Sequence, residues 1–158
     1  SDYLKQQNQD IQVWLIDPDG SGIYSYLKDS EYRSSGGSFT EGIGIMRTVD
    51  NFRKAKIDYA VNLPDKDLVA IAHFLAHNDG IVLGSSSALN VAGAIRAAAT
   101  SGPGKTIVTF ACDVGERSFS KLYNQKFLQE KGFPVENESV AALFKRYRTQ
   151  AMDGVVTV

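Results

Sequence analysis

Hydrophobic and polar positions alternate along this chain in two rhythms, one of strands and one of helices. Residues 11–17, IQVWLID, are rich in β-branched and aromatic types and are stopped by Asp17-Pro18-Asp19-Gly20, which predicts a strand ending in a turn. A Tyr-rich stretch over 22–32 gives way to Ser34-Ser35-Gly36-Gly37-Ser38, the composition of a flexible loop. The loop leads into FTEGIGIMRTVDNF, where Gly42 and Gly44 flank Ile43 and permit backbone conformations that side chains would block. Few buried contacts are expected over 34–45, so this loop is expected to be mobile without ligand. Over 65–78, Leu68, Ile71, Ala72 and Leu75 fall at helical spacing before Asn78-Asp79-Gly80 ends the run, predicting an amphipathic helix.

A short apolar run at 81–83 precedes Ser85-Ser86-Ser87, residues suited to capping, and an Ala-rich helix that Ser101-Gly102-Pro103-Gly104 breaks. Residues 105–112, KTIVTFAC, have the continuous apolar character of a buried parallel strand. A polar turn over 113–117 joins them to a predicted helix over 119–132, and a last helix is predicted within 138–152, as a cap or a dimer contact. The alternation predicts an α/β fold, a parallel sheet flanked by helices with ligands at the carboxyl ends of the strands.

Composition narrows the function classes. The chain has 158 residues with 17 Lys and Arg against 18 Asp and Glu, a net charge of -1. That balance offers no electrostatic footprint for nucleic acid or an anionic membrane, and no apolar run approaches the roughly 18 residues of a membrane span. One domain is the default at this length. The single cysteine, Cys112, excludes an internal disulfide and fits a reducing compartment such as the cytosol or the mitochondrial matrix. The opening SDYLKQQNQD reads as mid-helix, so a preceding segment is expected.

Four features carry candidate chemistry. His73 and His77 stand four apart on the 65–78 helix, a zinc spacing, but without an HExxH glutamate or a third ligand they read as a solvated or half-buried face, and no metal is expected. The serines at 85–87 lack a GxSxG elbow, so a hydrolase is not indicated; they offer either plain capping or a helix start that accepts an anion. Cys112 reads as a small buried hydrophobe at the end of its strand. Asp113 stands where α/β enzymes place ligand contacts, or is a simple turn-former.

Three blocks taken together, FTEGIG, GIVLGSSSALNVAGAIRAA and KTIVTFACDVGERSFSKLYN, occur in an order and spacing that resemble the C-terminal half of the cysteine synthase and cystathionine β-synthase family. The resemblance covers nearly all of residues 1–133. It implies a type II pyridoxal-phosphate (PLP) fold, tryptophan-synthase-β-like, with residues 1–133 as a large-domain portion and 134–158 as a C-terminal helical extension. It also implies that the catalytic lysine, the asparagine-containing substrate loop and the Gly/Thr-rich phosphate loop belong to an N-terminal half, leaving no catalytic residue in this segment.

By the same resemblance, Gly42, Ile43 and Gly44 match a loop over the substrate side of the cofactor. Cys112, Asp113 and Val114 match the cofactor-binding segment that faces the pyridine nitrogen with a hydroxyl residue. Ser86 and Ser87 match a serine pair at a helix start, with Ala88 in place of the usual glycine. Neither Asp113 nor Val114 is Ser or Thr, a departure that leaves two arrangements open: Asp113 faces the cleft, or it turns away to cap a helix beginning near Glu116, the arrangement favoured by helix electrostatics. The implied reaction is β-replacement, O-acetylserine plus sulfide giving cysteine and acetate, in a homodimer completed by the N-terminal half. A cystathionine β-synthase-like activity and a non-catalytic accessory subunit are the alternatives.

Overall fold

The computed structural model describes residues 1–133, 139–150 and 152–158. Along the chain they form α1 (Asp2–Gln7), β1 (Trp14–Pro18), α2 (Ile23–Asp29), α3 (Asp50–Arg53), β2 (Tyr59–Leu63), α4 (Asp65–Asn78), α5 (Ser85–Ser101), a 3-10 turn (Gly115–Ser118), α6 (Gln125–Glu130), α7 (Val140–Gln150) and β3 (Val155–Thr157). The α/β class holds. The strands lie in the order β1-β2-β3, with β1 and β2 parallel from Trp14↔Tyr59 to Pro18↔Leu63 and β3 antiparallel to β2.

Polar groups set the register at both ends of the β1–β2 pair. At the start, the Asp58 carboxylate accepts the Val13 N–H at 2.7 Å and pairs with Lys5 Nζ at 2.6 Å, while the Trp14 and Tyr59 rings sit 4.7 Å apart across the strands. At the end, the Asn62 side-chain amide donates to the Asp17 and Pro18 carbonyls at 3.2 and 2.9 Å. The predicted strand over 11–17 is thereby shifted to Trp14–Pro18. The 65–78 helix forms as the periodicity predicts, and it buries Leu68, Ile71 and Ala72 in a core with Ala88, Leu89 and Ala92 of α5.

Small residues bring α5 close to the sheet. A β-carbon on Gly93 would lie 2.4 Å from Ile16 Cγ1, so only glycine lets this turn of α5 rest on β1. Leu143 and Tyr147 of α7 join the same core, and β3 extends the sheet behind them.

Several expectations are corrected. Residues 105–112 form no strand: residues 103–112 are all exposed, Val108 at 83% and Phe110 at 75%, and among the described residues their backbone groups find no backbone partner. An apolar run specifies a buried strand only where neighbours exist to pair with it. The helix expected over 119–132 is confined to α6, because Asn124 accepts the Phe127 N–H at 3.1 Å and acts as an N-cap inside the run. The last helix is α7, and the parts of 138–152 at residues 138 and 151 lie outside the described residues. Strands β2 and β3, five and three residues long, had no counterpart in the sequence reading. No helix among the described residues is long and apolar enough to cross a membrane.

If the Gly93–Ile16 contact sets the distance of α5 from the sheet, Gly93→Val lowers stability by about 2 kcal/mol through overpacking. The urea midpoint should fall with the slope unchanged. A midpoint within error of the parent would show that α5 has room to move.

Candidate functional site

The loop carrying Gly42, Ile43 and Gly44 is held more firmly than its composition implies. Asp65, at the first turn of α4, accepts the Ser38 hydroxyl at 2.5 Å and the Phe39 N–H at 3.0 Å. The Glu41 N–H donates to Ser85 Oγ at 3.0 Å, and the Glu41 carboxylate pairs with Lys121 at 2.5 Å. Beyond the glycines, Ser21 Oγ accepts the Ile45 N–H at 3.1 Å, and the Gly22 N–H donates to the Ile45 carbonyl at 3.0 Å. Phe39 and Ile43 pack on the core. Between these anchors, Gly42 and Gly44 take φ of +80° and +88°, a region costly for any side chain. A β-carbon on Gly42 would meet nothing within 4 Å, so the loop presents an open face there.

The second segment, 112–114, is held from the same helix end. Ser87 Oγ accepts the Asp113 N–H at 3.1 Å and lies 3.0 and 3.2 Å from the Asp113 carbonyl and carboxylate oxygens, to which it can donate. Ser86 donates to that carboxylate at 3.4 Å, and the Gly84 N–H donates to the Asp113 carbonyl at 3.1 Å. A β-carbon on Gly84 would fall 2.1 Å from Asp113 Oδ1, so glycine is needed for the carboxylate to sit at the start of α5. The Asp113 carboxylate therefore sits against the start of α5, where it holds the Ser86 and Ser87 hydroxyls, and it does not cap the 3-10 turn at Gly115–Ser118, which has no side-chain cap. The anion that the serines could accept is the chain's own aspartate.

Cys112 is exposed, not buried, because its strand does not form; Asn90 Nδ2 approaches its sulfur at 3.3 Å. Val114 is 61% exposed and bridges to Leu83. The two candidate segments thus meet at α5, where Ser85 holds the glycine loop and Ser86 and Ser87 hold Asp113. The sequence marked the serines; it did not mark Asp65, Ser21 or Lys121, whose partners lie tens of residues away.

His73 is buried and donates from Nε2 to the Leu122 carbonyl at 2.8 Å, and His77 donates from Nδ1 to the His73 carbonyl at 2.8 Å. Burial holds His73 below the usual histidine range, a core residue and not a solvated face. Burial also raises the Asp17 carboxyl, against the Tyr24 N–H it accepts at 2.8 Å. Asp19 is raised by burial and by the charges of Asp65 and Asp67. Glu41 is lowered by its hydrogen bond and charge contact with Lys121, an exposed pair of the kind worth at most about 1 kcal/mol.

Residues 1–113 match the family described as pyridoxal-phosphate dependent enzyme. The chain belongs to that family. It is 44% identical over 149 residues to the cysteine synthase of Dictyostelium discoideum, covering 88% of this chain and 39% of that protein. To cysteine synthase 2 of Schizosaccharomyces pombe it is 41% identical over 144 residues, covering 83% and 36%. Among solved structures it resembles the O-acetylserine dependent cystathionine beta-synthase from Helicobacter pylori with a TM-score of 0.66 and 27% identity, over 76% of this chain and 37% of that one. O-Acetyl Serine Sulfhydrylase isoform 3 from Entamoeba histolytica, with a TM-score of 0.66 at 22% identity over 92% of this chain and 40% of that one, shares the fold. The chain therefore spans well under half the length of these relatives. Within this chain, the residues that match the family end at Asp113, in the turn that α5 grips.

Asp17 and Asp19 are both raised, so between the ordinary carboxylate pKa and their raised values the folded chain holds protons that the unfolded chain has released. Stability should accordingly fall as pH rises through that window. Asp17→Asn, which keeps an acceptor for the Tyr24 N–H, should flatten the fall in a series of urea titrations from pH 4 upward. An unchanged slope would remove Asp17 as its source.

Proposed function

We propose that this chain is the C-terminal portion of a cysteine synthase, a PLP-dependent β-replacement enzyme converting O-acetylserine and sulfide to cysteine and acetate. The observation that carries the reading is the meeting of the Gly42–Gly44 loop and the 112–114 turn at the three serines of α5, in a chain 44% identical to a cysteine synthase. On this reading the glycine loop lines the substrate side, and Cys112, Asp113 and Val114 line the edge of the cofactor. The open face at Gly42 and the exposed side chains of Cys112 and Val114 are what one wall of a cleft for a flat ring requires. When bound, the cofactor supplies an electron sink at the substrate's α-carbon. The loop's part is to bind and orient the amino acid by its backbone, where a side chain would stand in the way.

Asp113 is engaged with Ser86 and Ser87, so on this reading Val114 meets the ring edge as an apolar contact without a proton to give or take. The same departure favours the second reading, an accessory subunit that keeps the fold without the reaction. Completion by an N-terminal half, and a homodimer of the whole, is supported by the exposed apolar run at Ile107, Val108 and Phe110, side chains that a further surface could cover. A reducing compartment, cytosol or mitochondrial matrix, suits the exposed Cys112.

The chain alone should bind PLP weakly, with little visible absorbance. Co-expressed with the N-terminal portion of a cysteine synthase, it should give a yellow complex that forms cysteine from O-acetylserine and sulfide, read by ninhydrin. A complex that forms and takes up PLP but yields neither cysteine nor cystathionine would favour the accessory reading. A stoichiometric, borohydride-reducible adduct on the chain alone would overturn the division of labour.

A further inference from the structure

The first turn of α4 carries two carboxylates, both buried: Asp65 at 2% exposure and Asp67 at 1%. They serve opposite sides. Asp65 accepts the Ser38 hydroxyl and the Phe39 N–H on the approach to the glycine loop. Asp67 accepts the Tyr147 hydroxyl at 2.5 Å and Arg146 Nη2 at 2.6 Å, both from α7. The tail is locked a second time by Arg96 of α5, also 2% exposed, which donates to the Tyr147 carbonyl at 3.2 Å and the Asp153 carbonyl at 2.5 Å.

Buried carboxylates this close in sequence are stable only when charge and hydrogen bonds compensate them. Asp19 feels both charges, its own carboxyl being raised by them after burial. Within this acidic group it is Asp67 that Arg146 pairs with directly, and the Tyr147 hydroxyl is a neutral donor to the same carboxylate. Moreover, β3 pairs with β2, which runs through Pro64 straight into Asp65. The C-terminal segment therefore grips the first turn of α4 from behind while the glycine loop hangs from its front.

We propose that the C-terminal segment is a clasp on the glycine loop: Arg146 and Tyr147, acting through Asp67, hold the first turn of α4 so that Asp65 can fix residues 38–40, and undocking α7 frees residues 38–44. Arg146, Tyr147 and Asp67 are then positioning residues. That the freed loop handles substrate rests on the cysteine synthase reading; the coupling itself does not.

Hydrogen exchange with peptide resolution on the full chain tests it without cofactor or substrate, so the outcome bears on the clasp alone. Tyr147→Phe keeps the ring in the core and removes one donor. It should speed exchange over 38–44 as well as 140–158, on the order of tenfold, while peptides of α5 stay within about twofold of the parent. Asp65→Asn should loosen 38–44 and leave 140–158 protected, and Arg146→Lys should restore most of the protection that Arg146→Gln removes. If Tyr147→Phe loosens every peptide, Arg146→Gln, at the partly exposed rim, takes its place with the same expected pattern. A tail that exchanges faster while 38–44 stays at the parent rate overturns the proposal.

Discussion

The amino terminus of α5 is where the candidate site is made or lost. A helix start leaves amide groups without intrahelical partners and gathers positive charge, so it demands acceptors. Here a negative charge and further polar contacts reach it from elsewhere in the chain. Asp113 brings a carboxylate to the Ser86 and Ser87 hydroxyls, and the buried Ser85 accepts the Glu41 amide. Both segments that face the candidate cleft are therefore positioned by one helix end. That end is positioned in turn by Gly93 lying on Ile16 of β1 and by the apolar face shared with α4. Displacing α5 would move the glycine loop and the 112–114 turn together.

The same economy appears at α4, where polar groups are buried and fully employed. Asp65 and Asp67 complement the helix dipole, yet each also answers a donor from a distant segment. Buried charge of this kind adds little net stability against an apolar alternative, but it penalises any arrangement that leaves the charge unpaired. Specific geometry in the loop thus comes from Asp65, whereas the bulk of cohesion comes from Leu68, Ile71, Leu89 and their neighbours.

What was legible in the sequence follows from how local each signal is. The α4 helix, the α5 helix with its serines, and the core of β1 were readable because periodicity, caps and turn residues lie within the element itself. Strand β2 was not, since Tyr59 to Leu63 is short and its polar Asn62 breaks the pattern for a tertiary reason, the clamp on β1. The 105–112 run was misread in the opposite sense: its residues ask for a sheet, but pairing partners are a property of the surroundings. Cys112 was misplaced with it. Asp113 was open to facing the cleft or capping a helix near Glu116, and its actual seat against Ser86 and Ser87 depends on Gly84, twenty-nine positions earlier, having no side chain.

The arrangement at Asp113 and Val114 has a physical logic of its own. A carboxylate that accepts from two serine hydroxyls at a helix start would lose those contacts by rotating away, leaving Ser86 to find a new acceptor in a partly buried place while Ser87 keeps the Asp113 carbonyl. That cost keeps Asp113 on α5 and leaves the exposed Val114 as the side chain that meets whatever lies outside. A hydroxyl at position 113 would be too short to do the same work from that distance, and a hydroxyl at 114 would not disturb it. Holding the serines and facing outward are therefore separable at adjacent positions, the first falling to the residue that Gly84 admits and the second to the next one along.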